Sequence, residues 1–260
     1  MLFTRPKYID WFLEKTDSEV KIESGETVSV FRIAHLDDDE KLNEWAKHIL
    51  RHYRSDAQIK SGADANCGGN KSKYISDFII KPIEKKDVSG DFGEIIFCDF
   101  LEYVLDYEVP RYKKLNTLPS NPTQGIDLFG FKLKTTGSNE VVFMEVKSRL
   151  ASKKFNAVGT SIAESINRED THRAFLLENA RLHYEFASDM DMTGKITLLQ
   201  SSDKPPLRRT MAGIITTADE CDTNDFIGVK IETGKTCKIF ALHGLELWKL
   251  AQSLYERACL

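Results

Sequence analysis

The alternation of apolar and polar residues predicts both helices and strands in the first third of the chain. The predicted elements are a short helix near Pro6–Lys15, alternating strands around Val20–Arg32, a helix from about Asp38 to Arg54, a polar glycine-rich segment at Ser61–Lys73 and a mixed strand at Tyr74–Ile83. Residues 1–87 are therefore predicted to form an N-terminal α+β extension. Because no catalytic motif is recognisable there, we interpret the extension as a cap or a partner-docking region.

The remainder of the chain, residues 88–260, has the stronger pattern. Its predicted elements are an apolar helix at Asp91–Tyr107, strands at Ile126–Lys134 and Glu140–Arg149, helices near Phe155–Asn167 and Asp170–Phe186, strands at Met211–Thr217, Phe226–Ile231 and Cys237–Leu242, and a closing amphipathic helix at Gly244–Ala258. This mixture predicts an α/β domain with a mixed β-sheet flanked by helices.

The strand Glu140–Arg149 ends in an acidic residue, a valine and a lysine. Alternation along a strand sends Glu145 and Lys147 to the same face. A carboxylate beside an ammonium at a strand end can hold a divalent cation and orient a water molecule, which suggests metal-assisted phosphodiester cleavage. The chain contains four acid-x-lysine patterns, and only this one closes a strand suited to burial. Such a short motif is weak unless other residues support it.

Asp127 is the candidate second carboxylate. If Lys134 pairs with Glu140 across the polar loop, Asp127 falls opposite Lys147 and diagonal to Glu145. Diagonal neighbours are about 7–8 Å apart at Cα, so two carboxylates could converge on one cation. A register slip of one residue would turn Asp127 to the other face. The alternative interpretation is a turn residue after Gly125.

Glu94 is the candidate third acid, in the helix Asp91–Tyr107. A helical wheel places it on the apolar stripe, where a carboxylate must be neutralised, paired or bound to a metal. The alternative is that Glu94 lies in the first turn and stabilises the positive end of the helix. Three other acids of this helix cluster on the wheel and are predicted to face solvent: Asp99, Glu102 and Asp106.

The order of these residues, a helical Glu, a strand Asp and then Glu-x-Lys on the adjoining strand, resembles the PD-(D/E)xK nuclease superfamily. The match extends over roughly residues 88–190, although Ile126 stands where the superfamily motif has proline. The resemblance implies a restriction-endonuclease-like core. It also implies DNA cleavage that leaves 5′-phosphate and 3′-hydroxyl ends.

Four segments give a closer resemblance, to HamA, the nuclease subunit family of the Hachiman anti-phage defence system. They are Phe92–Tyr103, Thr123–Gly130, Phe143–Arg149 and His172–Arg181. The resemblance implies a cytoplasmic bacterial or archaeal protein that works with a superfamily 2 helicase, HamB. In that family the pair is understood to restrain the nuclease until the helicase senses damaged or abnormal DNA.

The expected mechanism uses four side chains and one main-chain group. Asp127 and Glu145 bind Mg²⁺ or Mn²⁺, with the Val146 carbonyl as a third ligand, because ligands that are all oxygen favour a hard cation. Glu94 either joins this shell or holds a metal-bound water. Lys147 contacts the attacking water or the scissile phosphate. The rival hypothesis is a catalytically silent adaptor of the same fold that regulates a helicase.

The net charge of −4 is unusual for a protein that binds DNA alone, since phosphate contacts supply most non-specific affinity. Either a local basic strip is sufficient, or a partner brings the DNA, or the chain does not bind nucleic acid. The candidate DNA contacts are Arg149, Lys153 and Lys154 after the strand, and Arg208 and Arg209 further on. A basic cluster is more often a solvated face.

Other features of the sequence add few constraints. The five cysteines are scattered without a CxxC pair, which favours reduced thiols, and no apolar run predicts a membrane span or a signal peptide. His48 and His52 lie four residues apart on a predicted helix, a spacing that can bind zinc. Because no second pair has ligand spacing, a surface or packing role is the favoured interpretation for both histidines.

Overall fold

A computed structural model describes residues 5–12, 14–21, 27–80, 85–111, 127–151, 173–201, 204–221 and 237–260. The helices are α1 (Ile9–Phe12), α2 (Asp39–Tyr53), α3 (Asp56–Cys67), α4 (Lys71–Tyr74), α5 (Lys85–Asp99), α6 (Arg173–Phe186), α7 (Met190–Ser201) and α8 (Leu247–Ala258). The strands are β1 (Glu14–Lys21), β2 (Thr27–Ile33), β3 (Leu128–Lys132), β4 (Glu140–Arg149), β5 (Leu207–Thr217) and β6 (Cys237–Gly244). Helices α4 and α5 continue into π-helical turns at Ile75–Ile79 and Phe100–Val104.

The strands form one mixed sheet in the order β1-β2-β6-β5-β4-β3. The four central strands are parallel, and β1 and β3 close the two edges in antiparallel pairs. The prediction of an α/β fold with a mixed, helix-flanked sheet is confirmed. None of the helices in the described parts of the chain is long and apolar enough to cross a membrane.

The sheet has an apolar layer on each side, which explains the nearly continuous apolar sequence of β4. Val142, Met144 and Val146 of β4 pack in the larger layer with α2, α5 and α8. Val141 and Phe143 alternate to the other side, where they pack with α6 and α7. The odd-numbered residues of β4 therefore face α6 and α7, and the even-numbered residues face α5.

Two glycines leave room for α5 to pack against the sheet. A Cβ atom added to Gly93 would lie 2.9 Å from the Cβ of Ser148 on β4. A Cβ added to Gly213 of β5 would lie 2.8 Å from the Phe97 ring. A methyl group at either position would require the helix or its neighbour to move.

One N-terminal prediction is wrong. The predicted strand Tyr74–Ile83 is helical up to Ile79, because Ile75 and Ile79, four residues apart, are both buried and Asn70 caps the start of α4 through the Lys73 N–H. The polar segment Ser61–Lys73 lies mostly in α3 and α4. A capping box at Ser55 begins α3, and Gly68 ends it in the left-handed conformation at φ 58°.

One observed helix was not predicted, and two predicted elements are not tested. Helix α7 was not predicted, whereas the predicted helix Phe155–Asn167 and strand Phe226–Ile231 lie outside the described residues. The sheet contains strands from both sides of residue 87, because β2 pairs directly with β6. The interpretation of residues 1–87 as a cap or docking region stays a prediction.

Candidate functional site

The candidate site lies at the carboxyl end of β4, on the sheet face that carries Phe143. Glu145 is almost fully buried, with 4% of its surface exposed, and Lys147 is partly exposed. The Nζ atom of Lys147 lies 2.6 Å from Oε1 of Glu145. Alternation along β4 therefore brings the predicted acid and lysine into direct contact.

Asp127 lies immediately before β3 and next to the same part of β4. Its Oδ2 atom accepts a hydrogen bond of 2.8 Å from the Val146 N–H. Leu128 of β3 pairs with Met144 of β4. Because the two strands are antiparallel, the residue before Leu128, Asp127, lies opposite the residue after Met144, Glu145. Directly opposed residues of an antiparallel pair share a face. Asp127 and Glu145 are therefore neighbours, and the Asp127 carboxylate accepts the hydrogen bond of the Val146 N–H, one residue after Glu145.

The register that brings Asp127 there differs by two residues from the predicted one. Glu140 pairs with Lys132 and not with Lys134, whose N–H donates instead to the Asn139 side chain. A shift of two residues keeps every side chain on its face, whereas a shift of one would have reversed it. Asp127 therefore moves from the predicted position opposite Lys147 to the position level with Glu145.

The two carboxylate oxygens of Glu145 have different surroundings. Oε1 contacts Lys147, but Oε2 is buried and accepts no hydrogen bond from the described residues. A buried carboxylate oxygen without a partner is costly, because it has lost its water and gained nothing in return. An ion held by Glu145 and Asp127 would remove that cost. The residues present thus fit a hard divalent metal.

Glu94 lies on α5, on the other side of β4 from Glu145 and Lys147. Its neighbour Gly93 contacts Ser148 in β4, so α5 crosses β4 near Lys147 but on the opposite face. Glu94 is partly buried, and its charge is a minor contribution to the pKa of Cys98, which burial raises to about 12. The structure brings Asp127, Glu145 and Lys147 together, and the role of Glu94 stays a prediction.

The predicted DNA contacts divide into three groups. Arg149 is exposed at the end of β4, and its guanidinium donates to the Ser148 carbonyl. Arg208 and Arg209 pair with Val141 and Val142 near the start of β4, about 13 and 10 Å along the strand from Glu145 at the usual rise. Arg209 also lies 3.5 Å from the Glu140 carboxylate. Lys153 and Lys154 lie outside the described residues.

A second buried polar cluster, which sequence reasoning missed, lies between α2 and α5. Asp99 is fully buried, so its predicted solvent-facing position is wrong. Its carboxylate contacts His48 at 2.9 Å, His52 at 3.2 Å and Arg111 at 2.9 Å. The Tyr8 hydroxyl also donates to Asp99. We call these five residues the Asp99 cluster.

The electrostatics of the Asp99 cluster follow from its burial. Burial alone would raise the pKa of Asp99, but His52, His48 and Arg111 more than offset this, so the pKa lies well below its ordinary value. Burial lowers the pKa of His52 to about 3, so its imidazole is neutral near pH 7. The four-residue spacing of the histidines was the available signal. The contacts of Asp99 with these histidines could not be predicted, because a helical wheel does not show which other element packs against a given face of the helix.

Comparison with known proteins identifies a family for this chain. A family model described as HamA matches residues 6–258, which is nearly the full chain. A search of curated proteins finds no match. The chain belongs to the HamA family.

Proposed function

We propose that this protein is a metal-dependent DNA nuclease and the effector subunit of an anti-phage defence complex. Membership of the HamA family suggests a component of the Hachiman system, and the proposal adds the chemistry and a superfamily 2 helicase partner. The observation that carries it is the contact geometry at the end of β4. The buried Glu145 touches Lys147, lies level with Asp127 and has one oxygen that accepts no hydrogen bond within the described part of the chain.

Asp127 and Glu145 would hold the metal ion, which we expect to be Mg²⁺ or Mn²⁺ because carboxylate oxygens are hard ligands. The Val146 carbonyl is the candidate third ligand. In a strand the N–H and C=O of one residue point to the same side, and the Val146 N–H points to Asp127. When bound, the ion would stabilise charge on the phosphate oxygens and lower the pKa of a coordinated water.

Lys147 has two roles in this proposal. Its ammonium holds the Glu145 carboxylate through Oε1 and thereby leaves Oε2 directed away from the pair. Because its side chain is partly exposed, Lys147 can also donate to a scissile phosphate or orient the attacking water. Glu94 would support a metal-bound water by reaching past the end of β4 from α5. The core around these residues would be restriction-endonuclease-like.

The test compares two glutamates of β4 that are both buried. Glu145→Gln removes the charge at the candidate site, whereas Glu140→Gln removes a carboxylate that is already bonded by Tyr107 and Lys134 at the other end of the strand. We expect Glu145→Gln and Lys147→Ala to lower plasmid cleavage with Mg²⁺ by at least about 100-fold. We expect Glu140→Gln to cleave like the unchanged protein at temperatures where it stays folded.

The assay includes the helicase partner in parallel reactions, because cleavage could depend on it. Excess EDTA should stop cleavage, and added Mg²⁺ or Mn²⁺ should restore it. Full activity of Glu145→Gln would remove this carboxylate from the mechanism. If the unchanged protein never cleaves DNA, with or without the helicase, but still binds it, the adaptor hypothesis replaces the nuclease.

A further inference from the structure

Three side chains with metal-binding chemistry meet inside the Asp99 cluster, apart from the Glu145 site. The Nε2 atoms of His48 and His52 are 3.2 Å apart, and each lies within 3.2 Å of an Asp99 carboxylate oxygen. All three side chains are buried. We propose that His48, His52 and Asp99 bind one divalent transition-metal ion, with zinc as the best match.

The spacing of the ligand groups is close to that of a zinc site. Metal–ligand bonds of 2.0–2.1 Å place neighbouring ligand atoms about 3.3 Å apart around zinc. The two histidine Nε2 atoms are 3.2 Å apart; Nε2 of His48 lies 2.9 Å from Oδ2 of Asp99, and Nε2 of His52 lies 3.2 Å from the other oxygen, Oδ1. One ligand atom from each residue can be chosen so that all three lie within 4.8 Å of one another. A rotation of the carboxylate or a movement of His52 would bring both nitrogens and one oxygen onto the same ion.

The ligand types also select the metal. Two imidazoles and one carboxylate favour zinc and related first-row ions over magnesium or calcium, which prefer oxygen alone. The i, i+4 spacing on α2 sets both histidines on one face, and α5 brings the carboxylate to them. The Tyr8 hydroxyl donates to Oδ2 of Asp99 and would orient this carboxylate toward the ion.

Arg111 competes for the same carboxylate. Its Nη1 atom donates to Oδ1 of Asp99 at 2.9 Å and lies 3.1 Å from Nε2 of His52, while Nη2 bonds Glu102. An ion at Oδ2 would lie on the side of His48 and Tyr8, away from the Oδ1 atom that Arg111 bonds. Arg111 would retain Asp99 and Glu102 and move away from His52.

A cavity lies next to the cluster. It has a volume of about 100 Å³ and is lined by Tyr8, Trp45 and His48 and by the outer residues Lys41 and Glu44. An ion bound by His48, His52 and Asp99 would join α2 to α5, and binding free energy at such a site becomes folding free energy. The ion would therefore stabilise the packing of the N-terminal region against α5, the helix that contains Glu94.

The experiment measures metal content in the full chain, purified without a histidine tag, by mass spectrometry of the elements from manganese to zinc. We expect about one ion per chain after exposure to zinc and dialysis, and less than about 0.1 in His48→Ala and His52→Ala. His35→Ala is the matched control, because His35 lies 2.9 Å from Asp37 but is half exposed. Glu145→Gln is the second control, and both controls should retain the ion.

If the variants fail to fold, their loss of metal is not informative. Cobalt uptake is therefore measured in the unchanged protein. Stripped protein that binds one Co²⁺ should develop the visible absorption bands of tetrahedral cobalt, and zinc should displace them. An unchanged, folded protein that takes up neither ion overturns the proposal, as does equal zinc content in His35→Ala and His48→Ala. Because metal content is read without DNA, loss of the nuclease proposal would leave this result intact.

Discussion

At the scale of single residues, the carboxylate of Asp127 has two separable roles. It accepts the Val146 N–H where the β3–β4 ladder stops, which is a structural role that a neutral amide could also fill. It also sets a negative charge level with Glu145, which an amide could not replace. The hydrogen bond and the charge therefore predict different outcomes for different substitutions of the same residue.

Asp127→Asn should keep the fold and lose the activity. The asparagine oxygen can still accept from Val146, so we expect the free energy of unfolding to change by less than about 1 kcal/mol, while cleavage falls at least about 100-fold. Asp127→Ala should lose activity equally and cost about 0.5–1.5 kcal/mol more in stability. Urea unfolding and plasmid cleavage measure the two effects. Near-normal cleavage by Asp127→Asn would reduce Asp127 to a structural residue.

The contact of Glu145 with Lys147 could be predicted from sequence because it needs only the alternation of one strand. The register of Asp127 could not, because it depends on a turn in which Asn139 takes the Lys134 N–H and Gly137 adopts φ 89°. The Asp99 cluster was hidden for a different reason. Its members come from distant segments, and Arg111 follows no periodic pattern.

At the scale of elements, the contact between α5 and β4 fixes how the helix meets the candidate site. Gly93 allows the helix backbone to approach Ser148, and Glu94 follows directly. The position of Glu94 relative to the end of β4 is thus set by a glycine whose importance no motif indicates. The same helix contains Gly90, where an added Cβ would meet nothing within 4 Å.

Gly93→Ala and Gly90→Ala should have opposite effects on stability. At Gly93 the new methyl group meets Ser148, so we expect a loss of about 1–3 kcal/mol from overpacking. At exposed Gly90 we expect a gain of about 0.5–1 kcal/mol from helix propensity. Thermal and urea unfolding check both values. Ser148→Gly should partly rescue Gly93→Ala, and strict additivity of the two changes would contradict the proposed contact.

At the scale of the whole molecule, the N-terminal region is part of the same folded unit as the candidate site. Strand β2 supplies six residue pairs to β6, and the Tyr53 hydroxyl of α2 lies 3.0 Å from that of Tyr255 in α8. The Asp99 cluster also joins Tyr8, from this region, to α5. One apolar layer extends from Tyr8 to Ala258. The two regions recognised in the sequence therefore share their hydrophobic core.

This shared core predicts that residues 88–260 cannot fold alone. Removing residues 1–87 would open the β6 edge and expose the apolar face of α8 that packs on α2. We expect the fragment to be aggregated or to lack a cooperative thermal transition, and co-expression of residues 1–87 to restore a soluble complex. Circular dichroism melts and size-exclusion chromatography distinguish these outcomes. A fragment that melts cooperatively within about 5 °C of the full chain would contradict the prediction. It would show that the N-terminal region is an appendage, since a sheet that loses two of its six strands should not retain the stability of the whole.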